Sequence, residues 1–359
     1  MYDALWSPTT VGATHVANRL AMAPMTRDRS TPGGVPTELN ALYYAQRAST
    51  GLIITEGTQP SDDGQGYLLT PGIYTDAHIA GWRQVTSAVH ASGGSIVIQL
   101  MHVGRVSHPD NTPHGRQPVA PSAITPAASM FTASGMQQIP QPRELSGREV
   151  ARTVDDFREA AAAAIAAGAD GVEIHGANGY LIQQFLSDNT NHRTDTYGGS
   201  LDNRIRFALE VATAVADEIG ADRTGFRISP GNTLNDIVES NTHELYPALV
   251  AALAPLGLAY LHVMHFGDDV LLTALRDLWP TTLILNRAGT DIATRVADVD
   301  SGVADVISVG TLALANPDLV ARLRSGAALN EPDPGTFYGG GEIGYTDYPA
   351  SRAENEAHA

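Results

Sequence analysis

Residues 148–180 read REVARTVDDFREAAAAAIAAGADGVEIHGANGY. A long amphipathic run, alanine-rich over 160–167 and so of high helix propensity, gives way to the short apolar run Gly171-Val172-Glu173-Ile174-His175. A polar turn follows. The same alternation recurs along the chain, with strand-like runs at 20–25, 52–57, 95–101, 171–175, 225–229, 260–264, 282–286 and 306–310. Helix-like stretches lie between them, most clearly at 79–91, 148–167 and 201–219. Nearly continuous apolar strands interleaved with helices predict a parallel sheet covered by helices, and eight strands are the number that closes a (β/α)8 TIM barrel. A doubly wound open sheet alternates in the same way, so the count by itself does not choose between them.

No Pro/Gly/Ser linker divides the chain, so a single α/β domain over 1–349 is expected, followed by a small, polar, flexible tail at 350–359. Residues 11–18 read as a hairpin closing the bottom of the barrel. The exception to the alternation is 102–145, rich in Pro, Ser and Gly and without helical period. In a barrel it follows the third strand, and is expected as a long unstructured functional loop over the active-site mouth.

Composition removes several classes of function. A net charge of -17 argues against nucleic acid or an anionic membrane as partner, and requires a local positive site for any anionic cofactor. The absence of cysteine excludes disulfides, thiol nucleophiles, zinc-thiolate sites and iron–sulfur clusters. No H-E-x-x-H or comparable spacing suggests a metal, and the G-x-G-x-x-G candidates are poorly placed for a dinucleotide fold. His15, His78 and His90 read as surface or packing residues. With neither a leader-like segment nor a run of about 18 apolar residues, a cytoplasmic protein is expected, either monomeric or homodimeric.

In a barrel, reactive groups gather at the carboxyl ends of the strands. His175 at the end of strand four and Asn178 just after it have a spacing that one helical turn would place side by side, and two neutral donors aimed at one point suit a carbonyl oxygen gaining negative charge. Tyr180, a phenol, is a proton donor near neutral pH. Singly, each reads first as a packing or turn residue; together at one strand end they read as two oxyanion donors and an acid. Arg227, inside an apolar strand, needs an anionic or polar partner: the pyrimidine end of a reduced flavin, or a carboxylate such as Glu56. Gln99 and Thr26 can match an amide-like ring edge.

These residues carry a resemblance. Ala23-Pro24-Met25-Thr26-Arg27, the run 175–181, Gln184-Phe185-Leu186-Ser187, NHRTDTYGGS at 191–200, ANPDL at 315–319 and FYGGGEIGYTDYP at 337–349 occur in the order found in the old yellow enzyme family. The chain resembles that family from about residue 5 to 349, and within it the bacterial reductases of N-ethylmaleimide and nitrate esters. The resemblance implies non-covalent FMN, with NADPH or NADH as reductant. It implies an ene-reductase that reduces the C=C bond of activated alkenes (α,β-unsaturated aldehydes and ketones, maleimides, nitroalkenes) by ping-pong hydride transfer. It places Pro24, Met25, Thr26, Gly57, Gln99 and Arg227 on the flavin, His175 and Asn178 on the substrate oxygen, Tyr180 as proton donor, and Tyr67 and Met101 in the substrate pocket. Met101 stands where relatives often carry Trp, which implies a wider pocket.

One departure concerns the FMN phosphate. Relatives usually place Arg directly after the glycine of strand eight; here Gly310 is followed by Thr311, and the strand-seven loop carries Arg287-Ala288. Either Arg287 replaces the missing cation, or backbone amides hold the phosphate with Thr311. Three further readings stay open on sequence: nitro or nitrate-ester reduction at the same site, a non-reductive aldolase or isomerase on the same barrel, and a flavin sensor without turnover.

Overall fold

The strand-forming runs are built from Val, Ile and Leu, and successive side chains point alternately out to the helices and into the barrel. The computed structural model describes residues 2–351. Its barrel strands are β1 (Leu20–Met22), β2 (Leu52–Ile54), β3 (Ile96–Leu100), β4 (Gly171–Gly176), β5 (Thr224–Ile228), β6 (Tyr260–His265), β7 (Thr282–Arg287) and β8 (Val306–Val309). All are parallel to their neighbours, and the sheet closes where β8 pairs with β1 through Ile307↔Leu20, Ser308↔Ala21 and Val309↔Met22. The open-sheet alternative is thereby removed. The outer layer is α1 (Glu38–Ala45), α2 (Asp76–Ala91), α3 (Gly147–Ala166), α4 (Leu201–Ile219), α5 (Thr242–Leu253), α6 (Asp269–Leu278), α7 (Ile292–Asp300) and α8 (Leu319–Ser325). Among the described residues no helix is long and apolar enough to cross a membrane.

Outward-facing strand residues such as Ile98, Val172, Ile174, Phe226 and Leu261 share one buried core with Val85, Phe157, Ala160 and Val211 of the helices. The alanines of α3 let that helix lie close against β4. Its start is set by a capping box between Ser146 and Glu149. Inside the barrel the lowest layer is apolar: Ala21, Leu52, Val97, Tyr260, Ile284 and Val306 pack on one another and on Val11 and Val16. The last two come from the expected hairpin (Thr9–Val11 with Thr14–Val16), which plugs the bottom. Two residues further along the same strands the interior turns polar, with Gln99, His262 and Ser308 all buried.

Two expectations are corrected. Two strands end before the motifs expected at their tips: β1 stops at Met22, where Pro24 has no N–H to offer a ladder, and β2 stops at Ile54, with Thr58 bridging back to Leu100 of β3 beyond the break. Residues 102–145 are not structureless. Ser129–Thr132 and Gly135–Gln138 form an antiparallel hairpin, and Val119–Ala120 pairs with Arg143–Glu144. Met130 of the hairpin packs into a buried cluster with Met101, Val103, Val106, Ile139 and Tyr180. The tail expected at 350–359 lies, from residue 352, outside the described residues.

Gly225 shows how tightly the interior is filled: a Cβ there would fall 2.1 Å from the Tyr260 ring. Gly225→Ala is therefore expected to destabilise the protein by about 1–3 kcal/mol through overpacking, read as a lower denaturation midpoint.

Candidate active site

The carboxyl ends of the strands surround a cavity of about 770 Å³. Pro24, Met25, Thr26, Gly57, Gln99, Arg227, Thr311, Tyr67, Met101, His175, Asn178 and Tyr180 all line it. Of the residues singled out from the sequence, Arg287, Ala288 and Gly310 do not; Gly310 sits just behind Met25.

β4 supplies the donor cluster. His175 is its penultimate residue and Asn178 lies in the turn that follows, so the two reach the same cavity without the helical turn expected between them. Asn178 adopts a left-handed conformation (φ 57°), which Asn tolerates better than most residues. Next to it Gly179 (φ 79°) must be glycine, since a Cβ would meet the Leu234 carbonyl oxygen at 2.6 Å. Three bonds lock the turn. The Asn178 N–H donates to Ser229 Oγ (2.9 Å), its carbonyl accepts from Asn235 Nδ2 (2.7 Å), and its Oδ1 accepts from Asn232 Nδ2 (2.8 Å). With Oδ1 occupied, Nδ2 is the group left to act as donor.

The His175 ring is buried, and its Nδ1 has no hydrogen-bond partner in the protein. Burial, and then the Arg227 charge, push its pKa down to about 3, so the imidazole is neutral. The Tyr180 hydroxyl shares a 2.8 Å hydrogen bond with Tyr67. Burial, and then Tyr67, push the Tyr180 phenol well above its ordinary value, and burial pushes Tyr67 up to about 12. Tyr180 therefore keeps its proton until a strong base forms beside it.

Arg227 is 3% exposed and its Nε has no hydrogen-bond partner; Nη2 lies 3.6 Å from Met264 Sδ. The carboxylate suggested as its alternative partner, Glu56, is elsewhere: its Oε2 accepts from the Arg27 and Asp28 N–H groups. The carboxylate whose charge Arg227 feels is Glu173, one strand away. A permanent cation with an unmatched N–H, beside a buried carboxamide and under neutral donors, fits the imide edge of a flavin ring.

Arg287 is already engaged by carboxylates. It ends β7 opposite His265, and faces α7, where Nε and Nη2 donate to Asp298 at 2.7 and 3.0 Å. Nη1 donates to Asp269 at 3.0 Å. Two carboxylates thus already neutralise this cation. Sequence reasoning also missed part of the lining: Asp28, Met130, Phe131, Met136, Ile139, Phe337 and Tyr338. Phe337 and Tyr338 are brought in by Arg27 and Arg29, whose guanidinium groups bind the carbonyls of Phe337 (2.9 Å), Gly344 (2.8 Å), Gly341 (3.0 Å) and Thr336 (2.8 Å). Among the described residues no group of His, Asp or Glu could hold a metal ion.

Residues 4–330 match the model of the NADH:flavin oxidoreductase / NADH oxidase family. The chain belongs to this family. It is 44% identical over 356 residues to a probable flavin mononucleotide-dependent alkene reductase of Leishmania infantum, covering 97% of each chain. Morphinone reductase, solved in complex with tetrahydroNAD, superimposes with a TM-score of 0.93 at 44% identity, covering 98% of each chain. The old yellow enzyme homologue from Zymomonas mobilis gives a TM-score of 0.93 at 41% identity, with 96% of this chain and 99% of that one covered. Membership in the old yellow enzyme family, first read from the motifs, is thus established, and with it the barrel fold.

Because Arg287 is held by carboxylates, Arg287→Ala is expected to leave the FMN dissociation constant unchanged. Stripping Asp298 of its partner should instead lower stability by about 1–3 kcal/mol. Fluorescence titration of the apoprotein and a denaturation curve measure the two.

Proposed function

We propose that this protein is an FMN-dependent ene-reductase that reduces activated alkenes at the expense of NADPH or NADH. The observation that carries this reading is the convergence on one cavity of a buried guanidinium with a free N–H, a neutral imidazole, an amide donor and a protonated phenol. Pro24, Met25, Thr26, Gly57, Gln99 and Arg227 would hold the ring, with Thr311 and backbone amides near Gly310, rather than Arg287, at the phosphate. FMN, when bound, supplies two-electron hydride chemistry.

The side chains do the rest. His175 and Asn178 Nδ2 hold the carbonyl or nitro oxygen of the substrate and stabilise the negative charge that develops on it. Removal of one such donor costs about 10²–10³ in rate. A neutral imidazole suits this role, since it donates a hydrogen bond without placing a second positive charge beside Arg227. Tyr180 gives its proton to the α-carbon, and the Tyr67 hydroxyl holds it in place and steadies the phenolate left behind. Met101, Met130 and Met136 give the pocket a soft wall that fits varied alkenes. Nicotinamide and alkene use the same mouth in turn, in a ping-pong sequence. This is a cytoplasmic enzyme in this reading, working where reduced nicotinamide nucleotides are supplied.

The visible spectrum of the purified protein, followed by anaerobic addition of NADPH or NADH and then of cyclohexenone, tests this. Bleaching and then recovery of a flavin band is expected; a colourless protein that takes up no FMN contradicts it. Tyr180→Phe should leave bleaching unchanged and slow recovery by about 10²–10⁴. Equal slowing of both phases would remove Tyr180 from the role of proton donor.

A further inference from the structure

Below the cavity, the polar layer of the barrel interior is a continuous chain of hydrogen bonds that converges on Glu173 from both sides. Asn286 Nδ2 donates to Ser308 Oγ at 3.0 Å, and Ser308 Oγ lies 2.8 Å from His262 Nε2. His262 Nδ1 lies 2.8 Å from Glu173 Oε2, and Gln99 Nε2 donates to Glu173 Oε1 at 2.8 Å. The strands set this geometry: Glu173 pairs in register with Gln99 on one side and Gly225 on the other, while Arg227 pairs with His175 and His262. Glu173 is wholly buried.

Its ionisation follows from its partners. Burial raises the carboxyl, but His262, Arg227 and Gln99 outweigh that and hold it below the ordinary carboxylate value. A carboxylate only accepts, so the two bonds that meet on it have a fixed direction: the NH₂ group of Gln99 must face Glu173, and His262 must present Nδ1–H to it. The Gln99 carbonyl oxygen is then the end presented to the cavity, as an acceptor. Glu173 makes no hydrogen bond to Arg227. It offsets the guanidinium charge through space and leaves the N–H groups of that side chain to a ligand.

We propose that Glu173, which touches neither substrate nor cofactor, is a positioning residue for the flavin. It locks the Gln99 carboxamide with its oxygen towards the imide edge, and it tempers the Arg227 charge that stabilises the reduced ring. This rests on the flavin reading above. The second part has a definite sign. A negative charge below the ring opposes the electron-rich reduced form, so its removal favours reduction.

The test uses wild-type, Glu173→Gln and Glu173→Asp holoprotein, reconstituted with FMN and titrated by spectroelectrochemistry. Wild-type protein that binds no FMN defeats the flavin reading itself, before any variant is compared. For Glu173→Gln, which keeps the shape and drops the charge, the midpoint potential should move in the positive direction. A roughly tenfold rise in the reduced-to-oxidised ratio at fixed poise is expected, ~30 mV for a two-electron couple. A merely structural residue would leave the potential where it was, and an unchanged or more negative value overturns the proposal. Glu173→Asp keeps the charge but is too short to reach Gln99 and His262 together, so its potential should stay at the wild-type value while FMN affinity falls about tenfold, near 1.4 kcal/mol. If Glu173→Gln does not fold, Glu173→Asp decides alone, and FMN bound as tightly as by wild type refutes the positioning role.

Discussion

A guanidinium cannot shed its charge, and this chain places one inside a barrel. Arg227 is the constraint around which the upper half of the molecule is organised. Its strand carries Gly225 one interior position lower, which leaves room for the Tyr260 ring to close the apolar floor. Its neighbour strand carries Glu173, whose carboxylate offsets the charge without capturing the N–H groups. Burial, and then the same cation, keep His175 neutral. One buried positive charge thus links the carboxylate beneath the cavity, the neutral donor above it and the kind of ligand that would complete the site.

The walls of the cavity are made differently from its floor. The floor is set by strand register and cannot shift without disturbing the barrel. The walls come from the hairpin after β3, from the β4 turn and from the carboxyl-terminal segment. That last segment is held to the loop after β1 by Arg27 and Arg29, which stack against Tyr345 as well as binding carbonyls. Phe131 and Met136 on the hairpin are largely exposed while Met130 is buried, so one strand of the hairpin both packs against the site and presents an apolar rim. A rigid polar base with a softer apolar collar suits chemistry that is constant and substrates that vary.

Much of this was legible in the residues. Nearly continuous apolar runs separated by amphipathic helices state a parallel sheet, and the closure of β8 on β1 makes it a barrel. The strand-end position of His175, Asn178 and Tyr180 was readable because barrels expose that end. What could not be read was register. Glu56 and Glu173 are equally acidic in sequence; only the pairing of β4 with β5 brings the second, not the first, to Arg227. Asp298 likewise lies on a helix whose facing to Arg287 depends on how α7 packs. The hairpin in 102–145 was hidden by composition: Ser129-Met130-Phe131-Thr132 alternates only in its burial, not in its residue types, and the glycine at 135 was the one turn signal there to find.

The most direct measurement is a crystal structure of the protein with FMN. The account predicts the imide edge of the ring within hydrogen-bond distance of Arg227 and of the Gln99 oxygen, with His175 and Asn178 left free to face a substrate. A ring bound outside the strand ends, with Arg227 Nε still lacking an acceptor, would contradict it.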